Sequence, residues 1–217
     1  MKAVILDFDG TLANTLPICY CAFKRVFSEF DNRELSSEDI KAMFGPSETG
    51  IIRENLCHQN KEQAIEMYYE TYTAFHEDLV EHNQEIDDLL QYLKNMGVKL
   101  GIVTGKAKRS LDISLKALQM EDLFDVIITG DDVTNPKPHP EGVIKALSDL
   151  GVDRSEAVFV GDSDADIQAG AKANVYTVGV QWLPDYQTAK FTIEPDSFFK
   201  SVAEFLELIK MGVPNES

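Results

Sequence analysis

The chain has 217 residues, 44% of them hydrophobic and 26% charged, a composition that supports a substantial buried interior and excludes a disordered chain. Its 20 Lys and Arg against 37 Asp and Glu give a formal charge of −17, a field that repels nucleic acid and anionic membranes. No apolar run approaches the ~20 residues needed to span a bilayer, and Met1–Leu6 is too short for the apolar stretch of a secretory signal.

The first apolar run, Ala3–Leu6, reads as a buried strand leading into Asp7-Phe8-Asp9-Gly10-Thr11-Leu12. In an extended chain, side chains two apart share a side at roughly 6–7 Å, so Asp7 and Asp9 face together and Phe8 faces away. Two such carboxylates invite a divalent cation, because Mg²⁺ takes a few carboxylate and carbonyl oxygens and keeps water in its other positions. Asp before Gly also simply opens turns, so the metal reading needs a third acidic group from elsewhere.

From Thr15 to Glu81 no strand is evident, and Leu16–Phe30, Ser37–Phe44, Glu48–His58 and Lys61–Val80 carry helical patterning. Ser36 or Ser37 serves as an N-cap and Gly45-Pro46 as a stop. Residues 15–81 are therefore expected to form a helical insertion after the first strand. Cys19, Cys21 and Cys57 are odd in number and lack CxxC spacing, which fits reduced thiols in a cytoplasmic protein better than a disulfide framework or a thiolate zinc site.

Beyond the insertion, strands at Val98–Thr104, Val126–Thr129, Ala157–Val160 and Tyr176–Val180 alternate with helices at Lys106–Gln119, Pro140–Leu150, Asp164–Ala173 and Ser197–Lys210. That alternation predicts an α/β fold with a mainly parallel sheet, in which reactive groups collect at the carboxyl ends of the strands.

Three further strand ends carry unusual chemistry. Val103-Thr104-Gly105-Lys106 offers a hydroxyl and free backbone N–H groups to a phosphate oxygen, although Thr is also an ordinary N-cap. Asn135-Pro136-Lys137-Pro138-His139-Pro140 holds Lys137 between two prolines that restrict its backbone, which suits a point charge held against phosphate and carboxylates; a solvated lysine in a stiff loop is the alternative. In Gly161-Asp162-Ser163-Asp164-Ala165-Asp166, Asp166 shares a face with Asp162 if a helix begins at Ser163, and Asp164 points elsewhere. The helix dipole also favours acidic residues in a first turn, but it accounts less well for an acidic pair at the end of a buried strand. His58, His76 and His82 form no HxH or HExxH pattern, and His139 reads as a loop residue.

Taken in order, DFDGTL, VTGK, PKPHP and GDSDAD resemble the motifs of the haloacid dehalogenase-like hydrolase superfamily over the whole chain, and GDDVTNPKPHPE is similar to its phosphoglycolate-phosphatase and pyrophosphatase-like branch. The resemblance implies a Rossmann-like core from residues 1–14 and 82–217 with a small helical cap domain from 15–81. It implies a Mg²⁺-dependent phosphatase that acts on a small phosphorylated metabolite through an aspartyl-phosphate intermediate. By position, Asp7 would be nucleophile and metal ligand, and Asp9 the general acid/base whose main-chain carbonyl also binds metal. Thr104, with Gly105 and Lys106, would hold the phosphoryl group, and Lys137 would offset charge there. Asp162 would ligate Mg²⁺, with Asp166 as a further ligand or support.

Asp9 argues against dehalogenation, because a phosphate-ester leaving group needs a proton and a departing halide does not. A hexose-phosphate mutase and a pyrophosphatase are the alternatives on the same core, and a phosphoacceptor signalling module, built on similar strand-end groups but in a much shorter chain, is the alternative from another class. Arg53, Lys24 and Arg25 in the insertion are the candidates for selecting the substrate. Monomer and homodimer are both compatible with the sequence.

Overall fold

The computed structural model describes residues 1–211. β1 (Ala3–Leu6) is buried at every position, as its unbroken apolar run requires of a strand covered on both faces. With β2 (Lys99–Val103), β3 (Val126–Ile128), β4 (Ala157–Gly161), β5 (Tyr176–Val180) and β6 (Ser197–Phe199) it forms one six-stranded sheet of order β3-β2-β1-β4-β5-β6. Every neighbouring pair is parallel, with Leu6 in register with Ile102 on one side and Val160 on the other. The strand order reverses at β1, so a crevice opens outside the carboxyl ends of β1 and β4.

Between β1 and β2 lie α1 (Leu16–Asp31), α2 (Ser37–Lys41), α3 (Glu48–Asn55), α4 (Lys61–Leu79) and α5 (Gln84–Asn95). α1 starts at Leu16-Pro17, where proline's missing N–H costs nothing, and ends at Asn32, whose left-handed backbone (φ 51°) returns its N–H to the Phe27 and Ser28 carbonyls. Ser36 and Asp39 form a reciprocal capping box on α2. α1 packs on α4 through buried aromatic residues, with the Phe23 and Tyr68 ring centroids 4.7 Å apart. The remaining helices are α6 (Lys108–Ala117), α7 (Glu141–Leu150), α8 (Asp164–Ala173) and α9 (Val202–Met211).

One sheet face, with Ala3, Ile5, Val103 and Phe159, packs under Val143 and Ala146 of α7 and Ala169 of α8. The other, with Val4, Leu6, Ile102 and Val160, packs on α5 and α9 and runs on through Phe8 and Leu12 into Phe23 and Tyr68 of the insertion. No helix among the described residues is long and apolar enough to cross a membrane.

Two elements differ from the sequence expectation. Residues 84–95 carry no expected element yet form α5, capped by the Asn83 side chain and burying Ile86, Leu89, Leu90 and Leu93. The single helix expected over Ser197–Lys210 divides into β6 and α9, because Val178–Val180 of β5 offers an open edge that Ser197–Phe199 pairs with; tertiary pairing overrides a weak local preference there.

Candidate active site

The strand ends bring three carboxylates together. β1 carries straight into Asp7, whose N–H donates to the Val160 carbonyl at 2.9 Å, and β4 ends one residue before Asp162. The turn after Asp9 closes against Asp162 only because residue 10 is glycine. Its φ is +78°, and a Cβ there would lie 2.2 Å from Asp162 Oδ2. Ser163 caps α8 and shares a capping box with Asp166, donating from its N–H (3.0 Å) and hydroxyl (2.5 Å) to Asp166 Oδ2. Asp164 turns away and accepts from the Thr192 N–H. Carboxylate oxygens of Asp7, Asp162 and Asp166 all lie within 4.8 Å of one another, and all three residues are buried.

Lys137 is the cation of this cluster. Its Nζ is 2.9 Å from Asp7 Oδ1 and 2.6 Å from Asp166 Oδ1, and it donates to the Val103 carbonyl at 3.2 Å. One ammonium against three carboxylates leaves excess negative charge in a buried place. Burial, then the neighbouring Asp166 and Asp9, pushes the Asp7 carboxyl up to about 7 against the pull of Lys137. Burial, then Asp166 and Asp7, pushes Asp162 well above the usual carboxylate range. Burial opposes the charge on Lys137, but Asp166 and Asp7 hold its ammonium above the ordinary lysine range. Asp7 Oδ1 is buried and ion-paired with Lys137, and no backbone N–H or hydroxyl among the described residues donates to it. An all-oxygen donor set and a deficit of positive charge together fit a hard divalent cation such as Mg²⁺.

A second charged group lies beside the first. Asp9 Oδ1 accepts from the Thr15 hydroxyl and from Lys106 Nζ, the latter at 3.0 Å. Lys106 is buried, pairs also with Glu48 Oε1 at 3.3 Å, and sits 4.6 Å from the centroid of the Tyr72 ring. Burial opposes its charge, but Asp9 leads the neighbours that hold the ammonium well above its ordinary range. Thr104 is buried with its Oγ1 accepting from the Lys106 N–H at 3.2 Å. Gly105 packs so closely on the next strand end that a Cβ at Gly130 would lie 2.4 Å from the Gly105 carbonyl oxygen. A cavity of about 90 Å³ opens over these groups and is lined by Asp7, Asp9, Thr104, Gly105, Lys106 and Lys137, with apolar side chains of the insertion opposite.

All the expected strand-end residues therefore converge, Asp162 and Asp166 forming the floor behind Asp7. The Lys106 ammonium is turned toward Asp9 and the insertion, away from the Thr104 hydroxyl expected to share a phosphoryl group with it. Lys24, Arg25 and Arg53 do not line the cavity: Lys24 donates to Ser37, Arg53 pairs with Glu62, and Arg25 is exposed. Three residues that sequence reasoning missed take part. Glu48 lies against Lys106, Gln187 donates its N–H to Asp162 Oδ2 at 2.6 Å, and Thr15 holds Asp9. The only sequence signal near Glu48 is Gly45-Pro46, and Gln187 lies in a loop without pattern.

Residues 4–180 match the family model described as haloacid dehalogenase-like hydrolase. Pyrophosphatase PpaX of Bacillus pumilus strain SAFR-032 is 36% identical over 209 residues, covering 96% of this chain and 96% of its own. The protein of the same name from Anoxybacillus flavithermus is 33% identical over 213 residues, 96% of this chain and 97% of its own. The structure of CbbY from Rhodobacter sphaeroides in complex with phosphate is similar with a TM-score of 0.83 at 24% identity, over 94% of this chain and 96% of that one. A hydrolase from Pseudomonas syringae is similar with a TM-score of 0.80 at 20% identity, over 97% and 99% of the two chains. At those identities the two structures establish a shared fold.

Proposed function

Because the chain belongs to the haloacid dehalogenase-like hydrolase family, we propose that it is a Mg²⁺-dependent phosphatase that hydrolyses a small phosphorylated metabolite through an aspartyl-phosphate on Asp7. The observation that carries this reading is the buried triad of Asp7, Asp162 and Asp166, balanced by Lys137 alone, with a second acid, Asp9, two residues on. Asp7, Asp162 and Asp166, with the Asp9 main-chain carbonyl, would hold Mg²⁺, which supplies positive charge to the phosphoryl oxygens when bound.

An Asp7 carboxylate oxygen forms a bond to phosphorus as the bond to the leaving oxygen breaks, and Asp9 gives its proton to that oxygen. Water then attacks phosphorus and passes a proton to Asp9. The bond between Asp7 and phosphorus breaks, the carboxylate is regenerated, and inorganic phosphate leaves. Lys137 offsets charge between Asp7 and the transferring group, and the Thr104 hydroxyl holds a phosphoryl oxygen. Residues 15–81 act as a cap that excludes bulk water from the cavity.

The test is phosphate release over a panel of phosphorylated metabolites, with Asp7→Asn alongside. Turnover should disappear in a variant whose circular dichroism is unchanged, and acid-quenched wild type should carry a phosphoryl adduct on the peptide containing Asp7. Persistent turnover in the variant sinks the nucleophile assignment. A second reading, hydrolysis of pyrophosphate, is favoured by the 36% identity to a protein of that name, and the same panel includes it.

A further inference from the structure

The two ends of the cavity differ in chemistry. The floor carries the carboxylates and Lys137. The apolar wall is Leu16, Cys19, Phe23, Phe44 and Ile51 of the insertion, and Asp9, bonded to Thr15 and to Lys106, faces the same insertion, so a leaving group that takes its proton from Asp9 lies toward it. Among the described residues lining the cavity, the cations are Lys137 and Lys106. Lys137 belongs to the nucleophile end, between Asp7 and Asp166. Lys106 stands nearest the leaving-group end, with its side chain 0% exposed between Asp9 at 3.0 Å and Glu48 at 3.3 Å. The Tyr72 ring lies against its ammonium from a further side.

Glu48 is itself held in place. It is the first residue of α3, yet it is buried, and its Oε2 accepts from the Ala107 N–H at 2.5 Å while its Oε1 accepts from the Ser110 hydroxyl at 2.5 Å. An insertion carboxylate therefore reaches the start of α6 in the core and stays on Lys106. When Asp9 carries the proton that it gives to the leaving group, Glu48 still neutralises the ammonium, so Lys106 offers little attraction to a further anion, and an anion placed there also meets Glu48 itself. Like charges brought together in a desolvated site repel strongly.

We propose that Glu48 determines specificity: by neutralising Lys106 it leaves the leaving-group end of the cavity apolar and without a free cation, so the substrate is a monophosphate ester of a small uncharged alcohol. Pyrophosphate, phosphoglycolate and bisphosphates each place a second anion where this wall has none to receive it. The proposal rests on the phosphatase reading and narrows it, and it separates this chain from relatives called pyrophosphatases.

Ethyl phosphate and phosphoglycolate share a two-carbon leaving group and differ by a methyl against a carboxylate, so their kcat/KM ratio reads the charge of that wall. With Mg²⁺ present, wild type should favour ethyl phosphate over both phosphoglycolate and pyrophosphate by on the order of 100-fold. The two anionic compounds should also be weak inhibitors of ethyl phosphate hydrolysis, a measurement that needs no variant. In Glu48→Gln, Lys106 keeps Asp9 alone, and the ratio should move toward phosphoglycolate by roughly tenfold, equivalent to about 1.4 kcal/mol. A purely structural role for Glu48 would lower both activities and leave the ratio fixed. Wild type that uses phosphoglycolate or pyrophosphate as well as ethyl phosphate overturns the proposal while the phosphatase reading stands. A ratio unmoved in Glu48→Gln removes Glu48 from specificity. Absence of turnover on every compound, with no adduct on Asp7, overturns the phosphatase reading and the proposal together.

Discussion

Replacing Asp7 by Asn should make the metal-free protein more stable as well as inactive, and the gain should grow with pH. The Asp7 carboxyl is pushed from 3.8 to about 7, with burial the largest cause. Above 3.8 the unfolded chain releases this proton while the native state keeps it, so stability present below 3.8 is lost as pH rises toward 7. Asn does not titrate. Between about pH 5.5 and pH 8, wild type therefore loses on the order of 2 kcal/mol relative to the variant, at 1.36 kcal/mol per pH unit over the part of that interval below 7. For a chain of this length each kcal/mol moves Tm by about 2–4 °C, so the variant's advantage should widen by roughly 4–8 °C. Differential scanning fluorimetry in excess chelator at the two pH values reads this directly. Added Mg²⁺ at the higher pH should raise wild type more than the variant, because a ligand stabilises only the state that binds it. An advantage that is flat in pH, or that grows toward acid, refutes the claim that crowded carboxylates hold the Asp7 proton.

Lys106→Met removes the ammonium shared by Asp9 and Glu48 and should cost about 3 kcal/mol or more by chemical denaturation, because it leaves buried carboxylates without a partner; Lys106→Met with Glu48→Gln should recover part of the loss, and a single variant as stable as wild type would contradict the buried pairing. Gly10→Ala forces a side chain into a left-handed backbone (φ +78°) against Asp162, so about 1–2 kcal/mol of strain should accompany weaker Mg²⁺ binding by calorimetry; unchanged affinity would show that the turn tolerates a Cβ. Iodoacetamide on the native protein should modify exposed Cys57 first and buried Cys19 last, since burial pushes the Cys19 thiol up to about 12; peptide mass mapping gives the order, and early labelling of Cys19 would contradict its burial.

The floor of the site was legible because a parallel sheet makes it a local problem: each short apolar strand ends where the chain must turn, Asp7, Thr104 and Asp162 each follow such an end directly, and Lys137 lies in the loop after β3, marked by its flanking prolines. Asp166 followed from the capping position of Ser163, which the GDSDAD spacing already implies. The wall was not legible. Glu48 acquires its role only by meeting Ala107 and Ser110, 59 and 62 residues further along, and no helical pattern announces such a contact. Lys106 shows the same limit from the other side, since its place beside Thr104 suggested a phosphate ligand while its ammonium lies between Asp9 and Glu48. Among the elements, α5 has a readable stripe at Ile86, Leu89, Leu90 and Leu93, whereas β6 is three residues long and exists through its pairing with β5, too short for alternation to declare it.

The order of the strands also sets a timetable for synthesis. Ala3 pairs with Lys99 on one side and with Ala157 on the other, so the middle strand of the sheet is the first made and among the last to be enclosed. At about 5–20 residues per second, β4 leaves the ribosome on the order of 10–30 s after β1. For that interval one edge of β1 has no native neighbour, and an open apolar edge can pair with other nascent chains. The same delay keeps Asp7 apart from Asp162 and Asp166, so their mutual repulsion enters only once β4 has been made, after β2 and β3 and before β5 and β6.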